Sequence, residues 1–168
     1  PYSRTLLPKQ LLALNGESTL LQQTAQRALR VFAPGDLWVV TNEEQKFEVT
    51  SQLKALDPAL EHQVVAEPVG RNTLPAILLG MDRALLRNPE AVVAVFPSDH
   101  LIHRPEIWEA ALSRAADLAH RGWFVTFGVT PSRPETGYGY IRKGKELGQD
   151  SFEVAAFTEK PGLARAEE

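Results

Sequence analysis

AVVAVFPSDH, residues 91–100, decides how this chain is read. Ala91 to Phe96 is apolar throughout, with no alternation. Such a run marks a strand covered on both faces, the central strand of a parallel sheet. Asp99 follows just past its end, where open parallel sheets take their ligands. A carboxylate there suits Mg²⁺, which takes one or two protein carboxylates and fills its shell with phosphate oxygens and water. The same residue type also caps turns, so Asp99 by itself admits both readings. His100 reads as a supporting residue rather than a base, because one unpaired histidine specifies little.

Outward from this strand, helical and extended stretches alternate. Upstream, Thr73 to Arg87 is an apolar helix with Pro75 in its first turn, where the missing N–H costs little. Gln63 to Ala66 and Leu37 to Val40 are short buried strands, the latter after the Ala33-Pro34-Gly35 turn signal. Between them Asn42 is expected to cap a helix over Glu43 to Leu56. Ser18 is expected to cap a helix over Ser18 to Val31, where Leu20, Leu21, Thr24, Ala28 and Val31 recur at helical spacing. Downstream, Pro105 to His120 is an amphipathic helix with Gly122 as its C′ residue. Trp123 to Gly128 is a fifth apolar segment. Tyr138 to Lys143 and Phe152 to Thr158 then form a strand pair joined by a polar loop around Gly144 and Gly148. The pattern predicts an α/β fold, an open and mostly parallel sheet flanked by helices.

The composition narrows the function classes. The 168 residues suit one domain. With no cysteine, disulfides, thiolate metal sites and cysteine nucleophiles are excluded. A net charge of −3 and the lack of a basic, aromatic-laced run argue against a nucleic-acid partner. No apolar run approaches the roughly 18 residues of a membrane span, and no signal peptide is visible. A cytoplasmic protein is expected; a homo-oligomer is compatible with the sequence.

Four further segments carry polar groups into the expected ligand-binding loops. In Glu67-Pro68-Val69-Gly70-Arg71-Asn72-Thr73, Gly70 permits close backbone approach, and Arg71 and Asn72 offer donors for a base, ribose or phosphate. Ordinary helix capping with a surface arginine explains the same residues. In Pro134-Glu135-Thr136-Gly137-Tyr138-Gly139-Tyr140, glycines flank a tyrosine where a strand begins. They suit either a ligand lying on the backbone, with Glu135 accepting from a hydroxyl, or a tight bend. Glu159-Lys160-Pro161 offers a base for phosphate and an acid for hydroxyls, or a surface ion pair. Lys9, in Pro8-Lys9-Gln10, is a candidate phosphate contact or a solvated lysine.

Taken together, EPVGRNTLPAI, VFPSDHLI, FGVTPSRPETGYGYI and FTEKP resemble the bacterial mannose-1-phosphate guanylyltransferases in order and spacing, and SRTLLPKQLLALNGESTLLQQT is similar to the stretch after that family's glycine-rich loop. The resemblance runs from near residue 1 to about Pro161. It implies the Rossmann-like fold of nucleotide-diphospho-sugar transferases, with residues 1–168 forming a nucleotidyltransferase domain incomplete at both ends. It implies transfer of GMP from GTP to mannose 1-phosphate, giving GDP-mannose and pyrophosphate. It also assigns roles. Asp99 matches the metal-binding aspartate for Mg²⁺, and Lys9 the lysine near the phosphates. Glu67, Pro68, Gly70, Arg71 and Asn72 match the guanosine loop. Gly137, Tyr138 and Gly139 match the backbone-lined mannose site, with Glu135 beside it. Glu159 and Lys160 match the pair that holds the sugar and its phosphate. Pro1-Tyr2-Ser3-Arg4 looks like the tail of the glycine-rich loop, and a chain without that loop is expected to be inactive alone. A related transferase for another sugar or base, and a non-catalytic nucleotide-sugar sensor, share these motifs.

Overall fold

The computed structural model describes residues 8–14 and 16–167; the expectation for Pro1 to Arg4 lies outside them. The contacts form two compact units, one ending at Ala111 and the other beginning at Leu112.

In the first unit, helix α1 (Leu20–Ala28) starts at Thr19, not Ser18. Thr19 Oγ1 accepts from the Gln22 amide at 3.2 Å, while Gln22 Oε1 accepts from the Thr19 amide at 3.1 Å. This reciprocal capping box satisfies two donors that a helix start leaves open, which is why the threonine takes the cap. Strand β1 (Val39–Asn42) pairs in parallel with β2 (Val64–Glu67), in the register Val39↔Val64 to Asn42↔Glu67. Helix α2 (Lys46–Leu56) lies between them in sequence and begins later than expected. Asn42 ends β1 and closes a turn, its Oδ1 accepting from the Gln45 amide at 2.9 Å, so helical geometry begins only after that turn. Helix α3 (Thr73–Arg87) has the predicted bounds. The missing side chain of Gly80 lets it lie against β1, since a Cβ there would meet Val40 Cγ2 at 3.2 Å. Leu11, Leu21, Ala25, Val49, Leu53 and Leu60 form the core, with Val39 and Val64 packed against it. A parallel pair with helices packed on it is the α/β arrangement expected.

The apolar runs Ala91 to Phe96 and Trp123 to Gly128, expected as strands, carry no regular structure. A strand exists through its ladder of hydrogen bonds, and neither run has a paired strand among the described residues. Helix α4 (Pro105–His120) has Gly122 as its C′ residue, as expected, with a left-handed φ of 88°. The Gly122 amide donates to Ala119 O and the Trp123 amide to Leu118 O, a Schellman closure.

In the second unit, β3 (Tyr140–Gly148) and β4 (Ser151–Thr158) form an antiparallel hairpin. β3 starts two residues after Tyr138, and the expected loop is far shorter than Gly144 to Gly148. Gln149 and Asp150 alone turn the chain, with φ of 52° and 58°, the pairing that matches strand twist in a tight hairpin. Gly144 lies inside β3, where an added Cβ would sit 3.0 Å from the Glu153 carbonyl oxygen. Helix α5 (Leu163–Glu167) follows Pro161.

Candidate functional site

Asp99 is placed by aromatic packing rather than by a strand ladder. Phe96 sits against Phe32, with centroids 6.4 Å apart, and edge-on to Trp108 at 5.2 Å. That contact directs the chain into Pro97-Ser98-Asp99. Lys9 approaches from the 3-10 turn Lys9–Leu11, anchored by Leu11 in the core. Lys9 Nζ stands 2.7 Å from Asp99 Oδ2, and His100 Nε2 is 3.9 Å from Oδ1. The hydrogen bond from Lys9 holds the Asp99 carboxyl below the usual carboxylate range; burial opposes this, and the charges of Lys9 and His100 reinforce it. The Asp99 side chain keeps 33% of its exposure, so the pair stays open to a ligand. Two residues assigned separately in the sequence thus form one charge pair.

Glu67 ends β2 opposite Asn42, so Pro68 to Asn72 leave from the carboxyl ends of the parallel strands. Asn72 takes a φ of 67° and makes no side-chain cap for α3. Pro68, Gly70, Arg71 and Asn72 are exposed. The Arg71 and Asn72 side chains make no hydrogen bond or ion pair among the described residues. The capping that would account for Asn72 structurally is therefore not made.

In the second unit, the start of β3 meets the end of β4. Phe157 and Glu159, two residues apart, both reach Gly139. A Cβ on Gly139 would overlap the Phe157 ring and lie 3.0 Å from Glu159 Oε2. A Cβ on Gly137 would lie 3.7 Å from Glu135 Oε1. The Lys160 amide donates to the Tyr138 carbonyl at 3.2 Å, and Lys160 adopts a left-handed φ of 43°. Its ammonium is 3.5 Å from Glu159 Oε1. The Glu135 amide donates to Tyr140 Oη at 2.8 Å, and Arg133 lies 3.6 Å from the Glu135 carboxylate. Glu135, Gly137, Tyr138, Gly139, Glu159 and Lys160 are therefore neighbours. Sequence reasoning missed Arg133, Phe157 and the anchoring hydroxyl of Tyr140. The period-two spacing of Phe157 and Glu159 was the available signal.

Among the described residues no three His, Asp or Glu side chains converge, so a cage built wholly from protein is not present there. Asp99, a partly exposed carboxylate, is of the donor type that could hold a Mg²⁺ ion arriving with phosphate oxygens. No helix among the described residues is long and apolar enough to cross a membrane.

Comparison with known proteins identifies the family. The nucleotidyl transferase family model matches residues 1–168. The chain is 42% identical over 173 residues to a mannose-1-phosphate guanylyltransferase of Escherichia coli (strain K12), and 41% identical over 172 residues to one of Klebsiella pneumoniae. Each alignment covers 99% of this chain and 36% of the relative, so the chain spans about a third of the length of these relatives. A crystal structure described as a mannose-1-phosphate geranyltransferase from Thermus thermophilus superposes with a TM-score of 0.85 at 33% identity, covering 99% of this chain and 48% of that one. On the full-length match of its sequence, this chain belongs to the nucleotidyl transferase family.

Proposed function

We propose that the protein is an enzyme that transfers GMP from GTP to mannose 1-phosphate, releasing pyrophosphate and forming GDP-mannose. The observation that carries this reading is the cluster at the mouth of the hairpin, where Glu159 reaches bare backbone at Gly139 and Lys160 stands beside it. A carboxylate suits sugar hydroxyls, an ammonium suits phosphate, and a backbone without side chains lets a sugar ring lie close. The names of the relatives support this choice of substrates.

In the proposed reaction a phosphate oxygen of mannose 1-phosphate attacks the α-phosphorus of GTP. The new P–O bond forms as the bond to the β-phosphate's bridging oxygen breaks, and pyrophosphate leaves with that electron pair. The attacking oxygen is already anionic near neutral pH, so no general base is needed. Lys160 orients the acceptor phosphate, Glu159 and Glu135 align the sugar, and Tyr138 and the flanking glycines line its bed. Arg71, Asn72 and the Glu67 to Gly70 backbone receive the guanosine. Lys9 meets the nucleotide phosphates, and Asp99 would hold Mg²⁺. Bound there, the ion would offset charge on the α-phosphate. Positioning and charge stabilisation carry the catalysis. A cytoplasmic location, where GTP is available, suits this chemistry.

The test is product formation by the full-length protein across a panel of nucleoside triphosphates and sugar 1-phosphates. GDP-mannose is expected as the preferred product. Preference for another sugar or base would reassign the substrates, and nucleotide-sugar binding without turnover would make the protein a sensor.

A further inference from the structure

The geometry points to Gln52 as a positioning residue for Lys9, an inference that rests on the role proposed for Lys9 at the nucleotide phosphates. Gln52 lies on α2, next to Leu53 and one turn from Val49 of the core, outside every motif that carries the family resemblance. Its side-chain amide is fully engaged. Nε2 donates to the Leu11 carbonyl at 3.2 Å and to Glu48 Oε1 at 2.7 Å, and Oε1 accepts from Thr19 Oγ1 at 2.7 Å. Both donors and the acceptor are thus used, which leaves the amide one orientation. Thr19 is itself held by its capping box, and Gln22 of that box reaches back to the Gln52 carbonyl at 3.2 Å.

Leu11 is the last residue of the short turn that carries Lys9. Two anchors hold that turn: the Leu11 side chain in the core, and the Leu11 carbonyl on Gln52. The first resists withdrawal of the turn, and the second resists its rotation about the buried side chain. Rotation would swing the long Lys9 side chain away from Asp99. A 3-10 turn of three residues has little internal stiffness, so an outside hydrogen bond is what keeps its orientation.

The experiment is a kinetic double-mutant cycle in the full-length protein with Lys9→Ala and Gln52→Met, the latter similar in length but without amide groups. Gln52→Met alone is expected to lower kcat/KM for GTP about tenfold, within the range that misplacement of a catalytic group produces. KM for mannose 1-phosphate should stay unchanged. In the Lys9→Ala background, Gln52→Met should add little further loss, because both changes remove one positioned ammonium. Fully additive losses would overturn the inference. Gln52→Asn keeps an amide one methylene short of the carbonyl and should behave alike, so a poorly folded Met variant does not end the test. Hydrogen exchange over residues 8–12, which requires no substrate, should accelerate in either variant. Unchanged exchange would overturn the inference even in an active enzyme, whereas faster exchange in a protein that never consumes GTP would sink the proposed reaction and leave the anchoring intact.

Discussion

Lys9 Nζ and Asp99 Oδ2 lie 2.7 Å apart, joining the first described turn of the chain to the segment after the apolar run at Ala91 to Phe96. The pair is a stability element with a definite pH sign. Because its folded pKa is depressed, Asp99 contributes stability that is present above its unfolded value of about 3.9 and is lost as pH falls through the lower folded value. In chelator-treated protein, Lys9→Met is expected to lower urea stability at neutral pH by under about 1 kcal/mol, as for other partly exposed pairs. The difference from wild type should vanish in strong acid. An equal difference at both pH values would show that packing of the lysine stem, not its charge, is responsible.

Asp99→Ala should lower kcat of the full-length enzyme by about a hundredfold or more, the usual scale for losing a group that stabilises charge in the transition state. The far-ultraviolet spectrum should stay unchanged, since the chain leading into Asp99 is held by Phe96 against Phe32 and Trp108 rather than by this carboxylate. Wild-type kcat at ordinary Mg²⁺ would remove Asp99 from the metal.

Gly139→Ala separates function from stability. The added methyl would meet the exposed Phe157 ring, which can swing aside, and Glu159 Oε2 at 3.0 Å, which must then move. Unfolding free energy is expected to fall by about 1 kcal/mol or less, below the usual range for overpacking a closed core. KM for mannose 1-phosphate should rise about tenfold, near the scale expected when a charge-assisted contact is displaced. Gly144→Ala is the contrast, since its methyl would press on the Glu153 backbone carbonyl at 3.0 Å and should cost stability first. Matching kinetic and stability losses in both variants would erase the distinction.

Thr19→Ala should cost about 1–2 kcal/mol, the upper part of the range for N-cap removal, because the hydroxyl also donates to Gln52. Ser18→Ala should cost under about 0.5 kcal/mol, as at an ordinary surface position. Denaturant midpoints decide between them, and the reverse order would return the cap to Ser18.

The bounds of α3 and the Gly122 stop of α4 were legible because they rest on local rules: proline in a first helical turn, and glycine where the backbone turns left-handed. The cap at Thr19 was not legible. Ser18 and Thr19 are both competent caps, and only the reciprocal bonds with Gln22 choose between them. The strand expectation for Ala91 to Phe96 failed for a related reason. Apolar character shows that a segment wants burial, but a strand also needs a partner at the right distance.

What the sequence by itself determined was the alternation of helical and extended stretches and the identity of the polar residues in the loops, because periodicity and turn chemistry act over a few residues. What only the tertiary structure decided was which of those residues meet: Lys9 with Asp99, Gly139 with Phe157 and Glu159, Gln52 with Leu11. The reason is geometric. A charge pair, a close backbone approach and a buried amide each depend on ångström distances between residues remote along the chain, and only packing sets those distances.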